Sequence, residues 1–250
     1  MTIHGNRAFT LAEVLITLGI IGVVAALTLP NLIMKYEKQK TVEQLKVAYS
    51  LLSQAVSNSV AENGDIDNWD YSLLYKDFCK KYIIPYMKVV KECDGAVCEN
   101  TKMEDGRYFN GYYEITGDKF TNIEYSFVLS NGMIVMCDST SMKLVVFTVD
   151  IDGQKGKNIL GKDIFAFYLL NHSHPSALPY TSEFSSGLYI GGVGGSGIPH
   201  SSIDRNLLLS PSQHRGCNKE AETGGHGGVG TACAAVIAQD GWKISDDYPW

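Results

Sequence analysis

Residues 9–34 of this 250-residue chain read FTLAEVLITLGIIGVVAALTLPNLIM and contain one charged side chain, that of Glu13. The 21 residues from 14 to 34 carry no charge. In a helix, at about 1.5 Å per residue, they cover about 30 Å, which is the thickness of the hydrocarbon core of a bilayer. We therefore predict a membrane-spanning helix over residues 9–34, preceded by a short polar leader at residues 1–8.

The helix is expected to continue beyond the apolar segment as an amphipathic helix over residues 35–62. Its apolar side chains recur every three or four residues, and they are Val42, Leu45, Tyr49, Leu52 and Val56. Asn63-Gly64 is a typical helix end. Pro30 lies inside this helix and removes one backbone hydrogen bond, so we expect a kink or local melting there.

Residues 63–170 have the pattern of a globular head with an antiparallel sheet. The turn Ser130-Asn131-Gly132 lies between two β-rich segments, which is a strong hairpin signal. The predicted elements are a helix over residues 71–84, which Pro85 stops, and strands over residues 123–129, 133–137, 144–149 and 163–170. The predicted fold class is α+β, with a long kinked N-terminal helix packed on an antiparallel sheet.

The last third of the chain has a different composition. In residues 171–231 Gly, Ser, Pro and His dominate without a sustained period, so we predict long irregular loops. Residues 232–250 are predicted to form a short strand, over 232–238, and an aromatic tail.

The overall composition excludes several classes of protein. With 45% hydrophobic and 19% charged residues, the chain is neither disordered nor a multi-span membrane protein. Its formal net charge of −6 argues against binding to a nucleic-acid backbone, so no nucleic-acid partner is expected.

All six cysteines follow the apolar segment and therefore share one side of the membrane. If that side is oxidising, an even number indicates disulfides. The alternative is a zinc site, but Cys93 and Cys98 are separated by four residues rather than two, and no matching second pair follows. Of the fifteen pairings that six cysteines allow, we favour Cys79–Cys137, Cys93–Cys98 and Cys217–Cys233.

The segment Arg7-Ala8-Phe9-Thr10-Leu11-Ala12-Glu13, followed by the apolar stretch and Pro30, resembles the class III signal of type IV pilins and type II secretion pseudopilins. The resemblance implies that a prepilin peptidase removes residues 1–8 as a leader by cutting between Ala8 and Phe9, and that Phe9 is then N-methylated. Glu13 would be the fifth residue of the mature chain, and Pro30 takes the family's helix-breaking position. The family usually has Gly before the cut, whereas this chain has Ala8, which keeps the small size.

The resemblance also implies a pilin-like fold and a function. The chain would be a structural subunit, a pseudopilin or a minor pilin, of a type II secretion or type IV pilus-like filament, and not an enzyme. Its implied partners are homologous subunits, the prepilin peptidase and methyltransferase, and the inner-membrane assembly platform with its ATPase. It would cross the inner membrane once, with its head outside the cytoplasm. The alternative is a single-pass anchored protein whose extracytoplasmic head binds or hydrolyses a ligand, and such an anchor has no need of Glu13.

Glu13 is costly at the edge of a bilayer unless its charge is paired. An ion pair with the Phe9 amine of a neighbouring subunit would offset the cost of both charges and set the axial register. The simpler alternative is that Glu13 reaches the headgroups from the end of the helix. An ordinary secretory signal, cleaved before Leu27, is the competing interpretation of the whole segment.

A Gly-rich acidic turn follows the third predicted strand and could bind calcium. The candidate ligands are Asp150, Asp152, Asn158 and Asp163. The spacing is not that of an EF-hand, and nearby lysines oppose a cation, but major pseudopilins have a calcium loop near the end of the sheet. The alternative is a plain Asp-Gly turn whose side chains cap its own backbone.

Other motifs in the last third match known sites by chance. Two G-x-G-x-x-G segments, residues 192–197 and 225–230, do not open a helix in a βαβ unit, so they do not predict dinucleotide binding. The histidines of this section lack metal-ligand spacing and are interpreted as solvated loop residues.

Overall fold

The computed structural model describes residues 10–94, 125–139, 145–153, 158–172, 184–191, 199–212, 215–219 and 230–250. The chain divides into two compact units, Met1–Lys40 and Thr41–Trp250. The described part of the first unit is helical apart from Thr10, and the second unit contains a sheet with helices packed against it.

Helix α1, Leu11–Asn63, confirms the predicted N-terminal helix from residue 11 onward, and residue 9 lies outside the described residues. It continues without a break past Pro30, so the local melting expected there does not occur, because a proline removes a single hydrogen bond while its neighbours keep theirs. The helix ends where Asn63-Gly64 predicts, and the Gly64 amide donates to the Val60 carbonyl at 3.0 Å with φ of +80°. The predicted amphipathic stripe is confirmed, since Leu45 and Leu52 are fully buried.

The described residues form a six-stranded antiparallel meander in the order β1-β2-β3-β4-β5-β6. Its strands are β1 Val89–Asp94, β2 Tyr125–Leu129, β3 Ile134–Ser139, β4 Val145–Asp150, β5 Ile164–Leu170 and β6 Gly187–Ile190. The hairpin predicted at Asn131-Gly132 joins β2 and β3, with Gly132 at φ of +88°. Two strands were not predicted: β1 is half charged, and β6 is short and lies in the predicted loop section.

Alternate residues of the strands build the core against α1. Phe127, Phe147 and Phe167 are fully buried on this face, and the Tyr49 ring of α1 stacks on Phe167 with 6.3 Å between centroids. The opposite face of β4 and β5 is also buried, through Val146, Ala166, Tyr168 and Leu170. Both faces of the central strands are therefore apolar, which explains their continuous rather than alternating hydrophobicity.

Helix α2, Tyr75–Tyr82, is shorter than the predicted helix over 71–84. It is preceded by Leu74 in an extended conformation and followed by a 3-10 turn, Ile84–Tyr86, that contains Pro85. The Trp69 ring stacks on Tyr82 at 4.5 Å between centroids, which packs the start of this region onto the helix.

The strand predicted over residues 232–238 is wrong, because this segment forms helix α4, Cys233–Gln239. The segment CAAVIAQ contains three alanines, the strongest helix former, and its first five residues are fully buried. A short segment buried on all sides has no period that separates helix from strand. The loops predicted over 171–231 also contain ordered elements, namely β6, a 3-10 turn at His200–Ser202 and helix α3, Arg205–Leu208.

An ion-pair network joins α3 to the C-terminal segment. The Arg205 guanidinium donates to both carboxylate oxygens of Asp240 and to Asp247, the latter at 2.7 and 2.8 Å. The bonds from Arg205 hold the pKa of Asp247 well below its usual range. Bidentate pairing of this kind fixes geometry as well as charge, so it orders the end of the chain against α3.

Candidate functional site

The apolar half of α1 is the first candidate site. Its large side chains are exposed, with Leu11 at 78% and Leu27 at 70% of their full accessible area. Among the described residues, α1 is the one helix long and apolar enough to cross a membrane. A continuous apolar surface of this size is costly in water, so it requires lipid or a protein partner.

Glu13 lies in the first turn of α1 and forms a capping box with Thr10. The Thr10 amide and hydroxyl both donate to Glu13 Oε2 at 2.8 Å, and the Glu13 amide donates to Thr10 Oγ1 at 3.3 Å. This reciprocal arrangement satisfies helix N-terminal donors that would otherwise be unpaired in lipid. Thr-x-x-Glu before an apolar segment is the sequence signature of this cap, which was not among the predictions for Glu13. Ala8 and Phe9 lie outside the described residues.

The disulfides brace the second unit. Cys79–Cys137 links α2 to the middle of β3, and Cys217–Cys233 ties the segment after α3 to the start of α4, as the favoured pairing expects. Cys93 is also disulfide-bonded, and its expected partner Cys98 lies outside the described residues. The described cysteines are therefore cross-linked rather than available for zinc.

Asp150 is a buried carboxyl group at the end of β4. The residue is 1% exposed, and its Oδ1 accepts the amides of Asp152 at 3.2 Å and Gly153 at 2.8 Å. Its second oxygen, Oδ2, is buried without a hydrogen-bond partner. Burial, and then the charges of Asp152 and Asp163, raise the pKa of Asp150 to about 8. Asp150 thus caps its own turn, as expected for the plain Asp-Gly turn that is the alternative to a calcium site.

The other candidate calcium ligands lie in the same β4–β5 connection. Asp163 accepts the Ile159 amide, and burial raises its pKa to about 7. Asn158 is 5% exposed, and Asp152 is partly buried. Within the described parts of the chain, no three or more His, Cys, Asp or Glu side chains are arranged to hold a metal ion. Calcium binding stays a prediction.

The same connection anchors α1 to the sheet. Gln44 Nε2 donates to the Ile151 carbonyl at 3.0 Å, and Thr41 Oγ1 donates to the Lys162 carbonyl at 3.4 Å. The Tyr248 hydroxyl donates to the Gly161 carbonyl from the C-terminal segment. The turn is therefore a structural junction between helix, sheet and C-terminus.

One histidine of the last third has defined partners. His172 Nδ1 lies 2.7 Å from Ser186 Oγ and 3.4 Å from Asp67 Oδ2, and Ser186 Oγ also donates to Asp67. Because the same ring nitrogen faces both Ser186 and Asp67, this is not the serine–histidine–aspartate relay of a hydrolase. The cluster ties the segment after α1 to the entrance of β6. His174, His214 and His226 lie outside the described residues.

Most residues of the two Gly-rich motifs lie outside the part of the chain that the structure describes. Residues 192–197 lie outside the described residues, as do 225–229. Gly230 lies just before α4, but every pair of neighbouring strands in the described sheet is antiparallel, so these strands form no βαβ unit.

Comparison with known protein families finds two matches. The model of the prokaryotic N-terminal methylation motif matches residues 3–29, which include the proposed cleavage site and Glu13. This match supports a type IV pilin-like prepilin signal, and it implies processing by a prepilin peptidase and assembly with pilin-like subunits. No curated protein and no solved structure matches the chain significantly.

The second model, described as a family of unknown function (DUF6613), matches residues 31–250. It covers the whole second unit together with the end of the apolar segment. The long helix on a six-stranded antiparallel sheet is a pilin-like α+β architecture. The chain therefore belongs to the family of unknown function DUF6613, and it carries a prokaryotic N-terminal methylation motif.

Proposed function

We propose that this chain is a structural subunit, a pseudopilin or a minor pilin, of a type II secretion or type IV pilus-like filament. The observation that carries the proposal is that one helix, α1, has an exposed apolar half within the methylation motif and a second half buried in its own sheet. Such a helix can anchor the unassembled subunit in lipid. The same apolar surface can pack against neighbouring subunits once it has left the membrane.

Processing and assembly follow from the N-terminal residues. In this proposal the peptidase cuts between Ala8 and Phe9, and Phe9 is methylated. The Phe9 amine then pairs with Glu13 of a neighbouring subunit. The capping box supports a role for Glu13 before assembly, because Thr10 supplies hydrogen bonds to its carboxylate within the lone chain. Pro30 removes one hydrogen bond at a point where the helix could bend during assembly.

The proposed location is the inner membrane, with the second unit outside the cytoplasm. The disulfides support this side, because they form and persist in oxidising compartments. The proposed partners are homologous subunits, the peptidase and methyltransferase, and the inner-membrane platform with its ATPase. The role is assembly, not catalysis.

The direct test is mass spectrometry of the amino terminus of the protein isolated from its native membrane. A chain that begins at Phe9 and is one methyl group heavier supports the proposal. A chain that begins at Leu27 identifies an ordinary secretory signal and rejects it.

A second test separates assembly from membrane anchoring. Glu13→Val is expected to leave insertion and cleavage intact and to impair incorporation into filaments. Thr10→Val is the matched control, because it removes the hydroxyl that donates to Glu13 but keeps the backbone amide of residue 10 and leaves the carboxylate for the neighbouring amine. Normal incorporation of Glu13→Val would contradict pairing between subunits.

A further inference from the structure

Three lysines follow the apolar segment of α1 directly. Lys35, Lys38 and Lys40 lie within residues 35–40, which we call the lysine collar, and Glu37 is the one acidic residue among them. At about 1.5 Å per residue the collar is about 9 Å long. The headgroup layer on one side of a bilayer is about 5–8 Å thick, so all three ammonium groups can lie within reach of it.

The collar is a positive segment in an acidic protein. Its net charge is +2, whereas the whole chain carries −6, so the remaining residues carry −8. Among the ion pairs of the described residues, none involves a collar lysine. The next lysine along α1, Lys46, is instead paired with Glu43 at 2.9 Å. The collar charge is therefore available to an external anion.

The collar residues surround the helix rather than forming one stripe. At about 100° per residue, Lys38 projects about 60° to one side of Lys35, and Lys40 about 140° to the other. Tyr36, which is 66% exposed, lies between Lys35 and Lys40. A single partner helix would cover only one of these sides, whereas the headgroups of a bilayer surround a helix that crosses them. Tyrosine at this depth is a typical interfacial anchor.

Membrane topology does not account for these lysines. Lysine and arginine near a membrane helix normally mark the cytoplasmic side. The collar lies on the side of the disulfide-containing unit, for which we propose an oxidising compartment. The position of these lysines is thus opposite to the one that the rule for cytoplasmic Lys and Arg predicts, so they require an explanation other than membrane orientation.

We propose that the lysine collar binds the headgroups of anionic phospholipids where α1 leaves the bilayer, and that this contact holds the unassembled subunit in the membrane. The inference rests on the proposed membrane anchoring by α1. It adds a lipid class as a partner, and it implies that assembly must break the headgroup contacts when a subunit leaves the bilayer.

The experiment uses the full-length protein reconstituted in phosphatidylcholine bilayers with spin-labelled lipids. Electron paramagnetic resonance measures the relative association of phosphatidylglycerol and phosphatidylcholine with the protein. One net charge near an anionic surface gives about a five-fold preference, so a net charge of +2 predicts at most about 25-fold at low salt. The preference should fall as salt is raised.

The test variant is Lys35→Gln/Lys38→Gln/Lys40→Gln, and it is expected to lose the preference. The matched control changes three exposed lysines of the second unit, Lys88→Gln/Lys91→Gln/Lys243→Gln, and it should keep the preference.

Three results would overturn the proposal. They are no preference in the wild type, an unchanged preference in the collar variant, and an equal loss in the control. The amino-terminal mass tests the proposed function separately, so a missing lipid preference can be distinguished from a failure of the proposed function.

Discussion

Gly191→Ala should destabilise the second unit because β6 and α4 approach each other there at backbone distance. Gly191 follows β6 with φ of +84°. A Cβ at this position would lie 2.5 Å from the Ala235 Cβ and 2.6 Å from the Ala235 amide nitrogen. Ordinary carbon contacts are about 3.5–4.0 Å, so the overlap is about 1 Å. Ala235 is fully buried in α4, which Cys217–Cys233 ties to the neighbouring segment, so it has little room to move.

Two costs contribute to the expected effect. A left-handed backbone costs a non-glycine residue about 1–2 kcal/mol. Overpacking of a buried site adds about 1–3 kcal/mol. Gly191→Ala should therefore lower the free energy of unfolding by about 2–5 kcal/mol.

Gly132→Ala isolates the backbone cost. Gly132 has φ of +88°, but no atom lies within 4 Å of its would-be Cβ, so the expected loss is about 1–2 kcal/mol. The assay is urea unfolding of the oxidised full-length protein in detergent, followed by tryptophan fluorescence. Equal losses in the two variants would refute the close approach of β6 to α4.

Three further predictions concern the same unit. Leu45→Ala should lower the free energy of unfolding in urea by about 2–5 kcal/mol because Leu45 is fully buried under the sheet. Val47→Ala should lower it far less, since Val47 is 44% exposed. Equal losses would show that α1 does not turn its Leu45 side toward the sheet. Because the folded pKa of Asp150 is about 8 against an ordinary 3.8, the free energy of unfolding in a chelator should fall as pH rises from about 4 to 8, and Asp150→Asn should flatten that fall. Calcium that restores stability at pH 8 in the wild type alone would support the calcium hypothesis, and equal melting with calcium and chelator would dismiss it. Replacing Cys217 and Cys233 by serine should lower the free energy of unfolding by about 2–4 kcal/mol, because the disulfide closes the loop between them. Wild-type protein under reducing conditions should lose at least as much stability.

Local signals in the chain anticipated most of the long elements. The apolar stretch and the stripe through Leu45 and Leu52 predicted α1, and Asn63-Gly64 predicted its end, because each signal acts within one or two helical turns. Asn131-Gly132 predicted the β2–β3 hairpin for the same reason, since the turn needs a residue that accepts positive φ.

The predictions of secondary structure fail where the apolar residues recur without a helical or strand period. Helix α4 was expected as a strand because its side chains are buried on every side. The strand β1 was missed because its sequence, VVKECD, is half charged, and β6 because it has only four residues. Edge strands of this kind are held mainly by pairing with a neighbour that is distant in sequence.

The features of the candidate site also divide into those that the sequence predicts and those that only the structure shows. The methylation motif, Glu13 and the apolar segment are contiguous in the chain, so they could be predicted from the sequence alone. The burial of Asp150, its unpaired oxygen and its raised pKa depend on which elements close over the β4–β5 turn. No spacing rule contains that information, because desolvation of a carboxyl group is a property of its surroundings in space. Residue order thus specified the apolar segment and the long helix, whereas packing between distant segments set the protonation of the acidic turn and the contact of β6 with α4.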